Sequence, residues 1–225
     1  MIKLVLMDVD GTITDRERRV STEAVNAIRK AQRSGIMVSL VSGNVIPVMY
    51  ALKTYVGIES PVFGENGGIM LDGDSVQPFF DITKPRQFFD TLLSMGLAQG
   101  ILTNRWRETS MGYAPAKGME DRIVKMAAEY DVEVANSGFS WHILNRGQDK
   151  GFALSILMRK FNLKHDEIAV IGDSFNDLPM FKDGVVKAVP SNAEPELRKI
   201  ANLVSERSHG KGTAELLLRI VRSNQ

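Results

Sequence analysis

Asp8 and Asp10 are separated by one residue and followed at once by Gly11 and Thr12. In extended backbone alternate side chains share a face, so both carboxylates can address one small volume. Carboxylates held that close repel each other, and a proton or a bound cation relieves the repulsion. A hard divalent ion such as Mg²⁺ is the natural guest of oxygen ligands. A helix–loop–helix calcium site also opens on this D-x-D spacing, but it needs glycine at its sixth position and glutamate at its twelfth. Those positions hold Ile13 and Arg19, which excludes it. Two further polar clusters lie far along the chain. Ser42-Gly43-Asn44 offers a hydroxyl with turn N–H groups, and Gly172-Asp173-Ser174-Phe175-Asn176-Asp177 offers carboxylates and an amide. The positive group that an anionic substrate needs is best supplied by Lys150, between Asp149 and Gly151 at the mouth of a helix. The helix N-terminus adds partial positive charge there. Together these residues can supply a carboxylate nucleophile (Asp8), a second carboxylate (Asp10), a hydroxyl (Ser42), a cation site completed by Asp173, and a lysine.

Each cluster ends an apolar run. Lys3–Met7 leads to Asp8, Val38–Val41 to Ser42, and Ile168–Ile171 to Gly172 and Asp173. Helical spacing separates the runs. One helix fits Thr22–Arg33, capped by Ser21 and stopped by Gly35; a second carries Pro47 in its first turn and ends near Gly57; a third covers Asp149–Phe161. Strands that alternate with helices imply a parallel sheet, and such sheets bind ligands beyond the carboxyl ends of their strands. If the three strands are neighbours, the three clusters converge.

The remaining stretches are less regular. Pro61–Phe63 reads as a short strand and Glu65–Gly68 as a turn. Ile69–Leu71 and Val76–Phe80 flank the hairpin signal Asp72-Gly73-Asp74. From about Thr83 the texture changes: a helix from Pro85 to Met95, a strand at Gly100–Thr103, a helix carrying Met119, Ile123, Met126, Ala127 and Tyr130, and strands at Val132–Ala135 and Phe139–Leu144. Residues 84–147 are therefore expected to form an inserted α/β domain within a core made of residues 1–83 and 148–225. A strand at Val185–Val189 and a last helix at Thr213–Arg222 follow. Gly210-Lys211-Gly212-Thr213 lacks the Ser or Thr that must follow the lysine of a phosphate-binding P-loop, and is read as a loop into that helix. His142 is read as packed or on the surface rather than lining a cavity. Arg86, Arg105, Arg107 and Arg146 are each read as surface residues, although an arginine fork would suit a substrate carboxylate.

Composition narrows the function classes. The net charge is +1, with no Lys/Arg run, so no field gathers nucleic acid. There is no cysteine, which removes disulfides, thiolate chemistry and Cys-ligated zinc. The histidines, His142, His165 and His209, are too scattered to suggest a metal site. No window approaches the roughly 18 apolar residues of a membrane span, and Asp8 interrupts the first apolar run too early for a signal-peptide core. A cytoplasmic protein with no nucleic-acid or membrane partner is expected. Oligomeric state leaves no mark in the sequence.

With those residues in place, the chain resembles the haloacid dehalogenase superfamily of phosphatases. Asp8-Val9-Asp10-Gly11-Thr12 is similar to its first motif, Ser42 to the second, Lys150 to the third, and Gly172–Asp177 to the fourth. Glu65-Asn66-Gly67 and Asp149-Lys150-Gly151 resemble the branch with an α/β (type IIB) cap between the second and third motifs, and its archaeal phosphoglycolate phosphatases above all. The resemblance implies a Rossmann-like parallel core with an inserted cap. It implies that Asp8 attacks phosphorus to form an aspartyl phosphate and that Asp10 acts as acid and base. Mg²⁺ is then held by Asp8, Asp173 and the backbone carbonyl of Asp10, with Asp177 supporting the metal. Ser42, Gly43, Asn44, Lys150 and Asn176 bind the phosphate ester, a small molecule. A sugar phosphatase of the sucrose-phosphate-phosphatase kind and a phosphomutase remain alternatives within the same superfamily.

Overall fold

The computed structural model describes residues 1–224. In chain order it contains β1 (Leu4–Met7), α1 (Thr22–Arg33), β2 (Met37–Leu40), α2 (Ile46–Val56), β3 (Val62–Gly64), β4 (Ile69–Asp72) and β5 (Ser75–Pro78). Next come α3 (Thr83–Ser94), β6 (Ala98–Gly100), β7 (Met111–Pro115), α4 (Glu120–Ala127), β8 (Val132–Asn136) and β9 (Trp141–Asn145). The last elements are α5 (Lys150–Phe161), β10 (Ile168–Ile171), β11 (Val186–Val189), α6 (Pro195–Ile200), β12 (Leu203–Val204) and α7 (His209–Ser223).

Five strands form a parallel sheet in the order β12-β11-β10-β1-β2. Every residue of β1 and β10 is fully buried, because each strand has a neighbour on both edges and helices on both faces. The two-residue period of the strand divides β1 between two cores. Val5 and Met7 pack with residues of α1, α2 and α7 on one face; Leu4 and Leu6 pack with Ala153, Leu154 and Leu157 of α5 on the other. The helices start and stop as their sequences direct. Ser21 Oγ accepts the Ala24 N–H, Asp149 Oδ1 accepts the Phe152 N–H, and Gly57 ends α2 in the left-handed conformation.

Two antiparallel sheets complete the molecule. β3-β4-β5 is a small flap, and β6-β7-β9-β8 carries α3 and α4. The four-stranded sheet has its own core of Phe88, Leu92, Tyr113, Ile123 and Ile143, separate from the cores of the parallel sheet. The fold is thus α/β with a parallel core and an inserted α/β cap.

Three expectations need correction, and one strand, β7, was not predicted. The predicted strand at Gly100–Thr103 is β6 at Ala98–Gly100, and Leu102–Trp106 turns as a 3₁₀ helix. Asn104 causes the break: its amide donates to Gly112 O at 2.7 Å and accepts from Gly112 N at 2.8 Å, taking the bonds a continuing strand would make. β7 went unread because glycine and proline interrupt it. α3 begins at Thr83 rather than Pro85; Asp81 accepts the Thr83 N–H, and Pro85 is still within the first turn, where no N–H is required. α7 begins at His209, so Gly210–Thr213 is helix rather than loop. Packing overrides the glycines' weak helix propensity, since a Cβ at Gly210 would fall 2.2 Å from Ser21 Cβ, and Thr213 Oγ1 bonds Thr12 O at 2.6 Å.

Candidate active site

The strand order β10-β1-β2 sets the three predicted polar ends side by side on one edge of the sheet. Asp8 follows β1, Ser42 lies just beyond β2, and Asp173 lies just beyond β10. Lys150 reaches them from the first residue of α5. Its ammonium is buried and donates to Asp8 Oδ1 and to Asp177 Oδ1, each at 2.6 Å. One carboxylate oxygen each of Asp8, Asp173 and Asp177 lies within 4.8 Å of the others. Three carboxylates therefore face one ammonium.

The electrostatics record the imbalance. Burial pushes the Asp8 carboxyl well above the usual range; Lys150 pulls it back, while Asp177 and Asp173 push it further up. Burial also raises Asp173, to about 7, and Asp177 adds to the rise. Burial pulls the Lys150 ammonium down, but Asp177 and Asp8 outweigh it and hold it above the ordinary lysine value. Negative charge in excess of its compensation, presented by oxygen donors alone, suits a hard divalent cation. Asp8, Asp173 and Asp177 are the residues that fit one.

The other residues are fixed around this centre. Thr12 Oγ1 donates to Asp173 Oδ1 at 3.1 Å, and Asn192 Nδ2 to Asp173 Oδ2 at 3.0 Å. Asn192 carried no sequence signal. Asp177 Oδ2 accepts the N–H groups of Asp173 and Ser174, so its carboxylate shapes the loop as well as the charge. The Asp10 side chain lies outside the carboxylate cluster: Asn44 Nδ2 and Arg18 Nε each donate to it at 2.8 Å. Ser42 Oγ accepts from Asn44 N and Nδ2. Asn176 Oδ1 accepts the Ser174 hydroxyl.

A cavity of about 410 Å³ opens over these groups, at the small end of the roughly 300–1,000 Å³ usual for ligand pockets. Asp8, Asp10, Ser42, Gly43, Asn44 and Asn176 line it from the parallel-sheet side. Arg107 and His142 line it from the other, which corrects the surface reading of Arg107 and sets His142, packed as one reading had it, at a cavity wall after all. Arg107 is only 6% exposed and donates to Gly43 O at 3.1 Å and to Ser110 Oγ at 2.9 Å. His142 is buried against Ser137 and Ser140, and burial, with Arg107 and Lys150, holds it well below the usual histidine value, hence neutral. Arg86, Arg105 and Arg146 are exposed as expected. Glu65, read only as part of a turn, is buried and accepts from Glu108 N, Thr109 N, Thr109 Oγ1 and Ser110 Oγ at 2.7–3.1 Å, tying the loop after Arg107 to the core.

The chain is similar to known proteins along nearly all of its length. The profile of the haloacid dehalogenase-like hydrolases matches residues 5–104 and 113–217, leaving the stretch that carries Arg107 between the two matches. A phosphoglycolate phosphatase of Thermoplasma volcanium is 50% identical over 218 residues, covering 96% of this chain and 97% of the relative. One of Thermoplasma acidophilum is 46% identical, again over 96% and 97%. A crystal structure from Thermoplasma acidophilum superposes with a TM-score of 0.94 at 45% identity, covering 97% of this chain and 98% of that one. A haloacid dehalogenase-like hydrolase of Bacteroides thetaiotaomicron shares the fold, with a TM-score of 0.82 at 18% identity, over 98% and 100% of the two chains.

Proposed function

We propose that the chain, which belongs to the haloacid dehalogenase-like hydrolase family, hydrolyses a small phosphate monoester through an aspartyl phosphate, with 2-phosphoglycolate as the preferred substrate. The names of its relatives support the substrate. One observation carries the chemistry: Asp8 is tied through Oδ1 to a buried lysine, borders the cavity, and has no hydrogen bond to Oδ2 among the described residues. Such a carboxylate is oriented yet free to attack.

In the first step an Asp8 oxygen bonds to phosphorus as the ester P–O bond breaks. Asp10, aimed by Asn44 and Arg18, delivers its proton to the departing alkoxide. In the second step Asp10 takes a proton from water, whose oxygen displaces Asp8 from phosphorus and releases phosphate. Ser42, Asn44 and Lys150 hold the phosphoryl oxygens, joined by the Gly43 backbone and by Asn176 at the cavity wall. Lys150 stays protonated, so its charge is always present for the transition state. Asp8 and Asp173, with the backbone carbonyl of Asp10 and support from Asp177, would hold Mg²⁺, which when bound supplies positive charge toward the phosphoryl oxygens. Residues 84–147 act as a cap on a core of residues 1–83 and 148–225, and its closure excludes water from the reacting atoms. The links from Arg107 to Gly43 and from Glu65 to residues 108–110 support a closed arrangement.

The test is phosphate release from a panel of esters with Mg²⁺ present. The kcat/KM for 2-phosphoglycolate should exceed that for glucose 6-phosphate and p-nitrophenyl phosphate by tenfold or more, about 1.4 kcal/mol of transition-state binding. A hexose phosphate ahead by that margin would overturn the substrate assignment. Transfer of the phosphoryl group to an added sugar, with no inorganic phosphate released, would make the protein a mutase.

A further inference from the structure

The cavity has two unlike walls. The parallel-sheet wall carries the reacting carboxylates. The cap wall carries Thr103, Arg107, Ser137, Phe139, Ser140 and His142, and no metal-binding cluster among the described residues lies there. Buried polar atoms without partners collect on it: Thr103 Oγ1, Arg107 Nε and His142 Nδ1. Buried groups of this kind are normally paired, so the residues of this wall hold hydrogen-bonding capacity that the chain itself leaves unused.

Arg107 is the cation among these cap-wall residues, because His142 is held neutral. A guanidinium remains protonated in any such site. Its position is enforced from three directions. The Ser110 hydroxyl accepts from one terminal nitrogen, and Gly43 O accepts from the other. The absence of a side chain at Gly112 makes room behind it, since a Cβ there would lie 3.1 Å from Arg107 Nε and 2.4 Å from Ile101 Cδ1. The loop that follows is clamped by Glu65. Gly43, the residue it touches, directly follows Ser42 of the phosphoryl site, so a ligand on Arg107 and a phosphoryl group on Ser42 are a short molecule apart.

We propose that Arg107 sets substrate specificity by binding a carboxylate at the far end of the phosphate ester. The proposal rests on the phosphatase reading above and names the group on the chain that selects the acid. A carboxylate would replace the neutral Gly43 carbonyl as acceptor at the guanidinium, exchanging an ordinary hydrogen bond for a charge-assisted pair. One fixed positive charge, partly offset by nearby Glu65, matches a single carboxylate better than a second phosphate dianion. The fork geometry favours two parallel bonds, which a lysine at the same place cannot make.

The experiment compares wild type, Arg107→Gln and Arg107→Lys on 2-phosphoglycolate and on p-nitrophenyl phosphate, which has no carboxylate. Inhibition by phosphonoacetate and by methylphosphonate is measured alongside. Arg107→Gln should shrink the ratio of kcat/KM for the acid to that for the aryl ester by about 10–100-fold, the range of a hydrogen bond to a charged group. Arg107→Lys should recover only part of it. The preference of wild type for phosphonoacetate over methylphosphonate should vanish in Arg107→Gln. If both substrates lose equally, Arg107 serves the fold or the phosphoryl group and the proposal is wrong. If wild type prefers 2-phosphoglycolate and both variants keep that preference, the proposal fails while the substrate assignment stands. If wild type shows no preference for the carboxylated ester, the substrate assignment fails and takes this proposal with it. Should Arg107→Gln not fold, the ratio in Arg107→Lys decides, and an unchanged ratio there is the overturning result.

Discussion

Replacing Lys150 with methionine removes one ammonium and keeps most of the side-chain volume. The Lys150 side chain is 1% exposed, and its ammonium stands 2.6 Å from the carboxylates of Asp8 and Asp177, whose side chains are 5% and 0% exposed. Breaking a buried pair by deleting one partner costs about 3–5 kcal/mol, because the remaining charge is left desolvated. In a chain of this length 1 kcal/mol corresponds to roughly 2–4 °C in Tm, so a fall of about 6–20 °C is expected at pH 8 in EDTA. The cost must depend on pH. Asp8 and Asp173 are already raised by burial, and without Lys150 the carboxylates lose their main counter-charge and bind protons more readily still. At pH 5 protonation removes the charge that the lysine would have balanced, so the penalty there should be clearly smaller. The assay is thermal and urea unfolding of wild type and Lys150→Met in EDTA at pH 5 and pH 8. Mg²⁺ at pH 8 should then restore part of the loss by binding only the folded state. A variant as stable as wild type at pH 8, or one that loses the same amount at both pH values, would refute the reasoning that Lys150 compensates buried carboxylates.

Mg²⁺ should raise the Tm of wild type more at pH 8 than at pH 5. With Asp173 raised to about 7 against about 4 in the unfolded chain, the metal-free folded state binds the extra proton between those values, and its stability falls as pH rises through that window. The cation competes with those protons, so equal shifts at the two pH values would count against the carboxylate site. Asp8→Asn should fold, by circular dichroism, and show no turnover. Asp10→Asn should lose about 10²-fold or more in kcat through its acid–base role. Substantial turnover by Asp8→Asn would mean that water attacks phosphorus directly.

The parts of the fold that could be read in the sequence are those set by local pattern. β1, β10, α1, α2 and α5 each combine one period with a capping or breaking residue at the boundary, and the structure ends them within a residue or two of those signals. Asp8, Ser42 and Asp173 were legible for the same reason: each stands where an apolar run gives way to a turn. β7 and the turn at Leu102–Trp106 were not legible. Glycine and proline interrupt the alternation of β7, and the turn depends on Asn104 reaching across to Gly112, a bond that replaces strand pairing and leaves no periodicity behind.

The same limit separates Lys150 from Arg107. Lys150 sits at a helix start capped by its neighbour Asp149, so a local pattern points to it although its partners are 142 and 27 residues away. Arg107 lies in a cap loop among polar residues, with a second arginine two positions before it, and nothing within its own stretch distinguishes the two. Only the fold does so. Glu65, 43–45 residues upstream, draws residues 108–110 onto the core and thereby buries Arg107 against Gly43, while Arg105 stays in solvent beside Trp106. A site built for phosphoryl transfer can be marked at strand ends because the sheet must present it there. Selectivity supplied by a cap depends on how the cap is held, and that is settled by contacts between distant residues. The spacing of the motifs therefore points to a reaction, whereas the burial of one arginine and the clamp behind it point to which ester undergoes it.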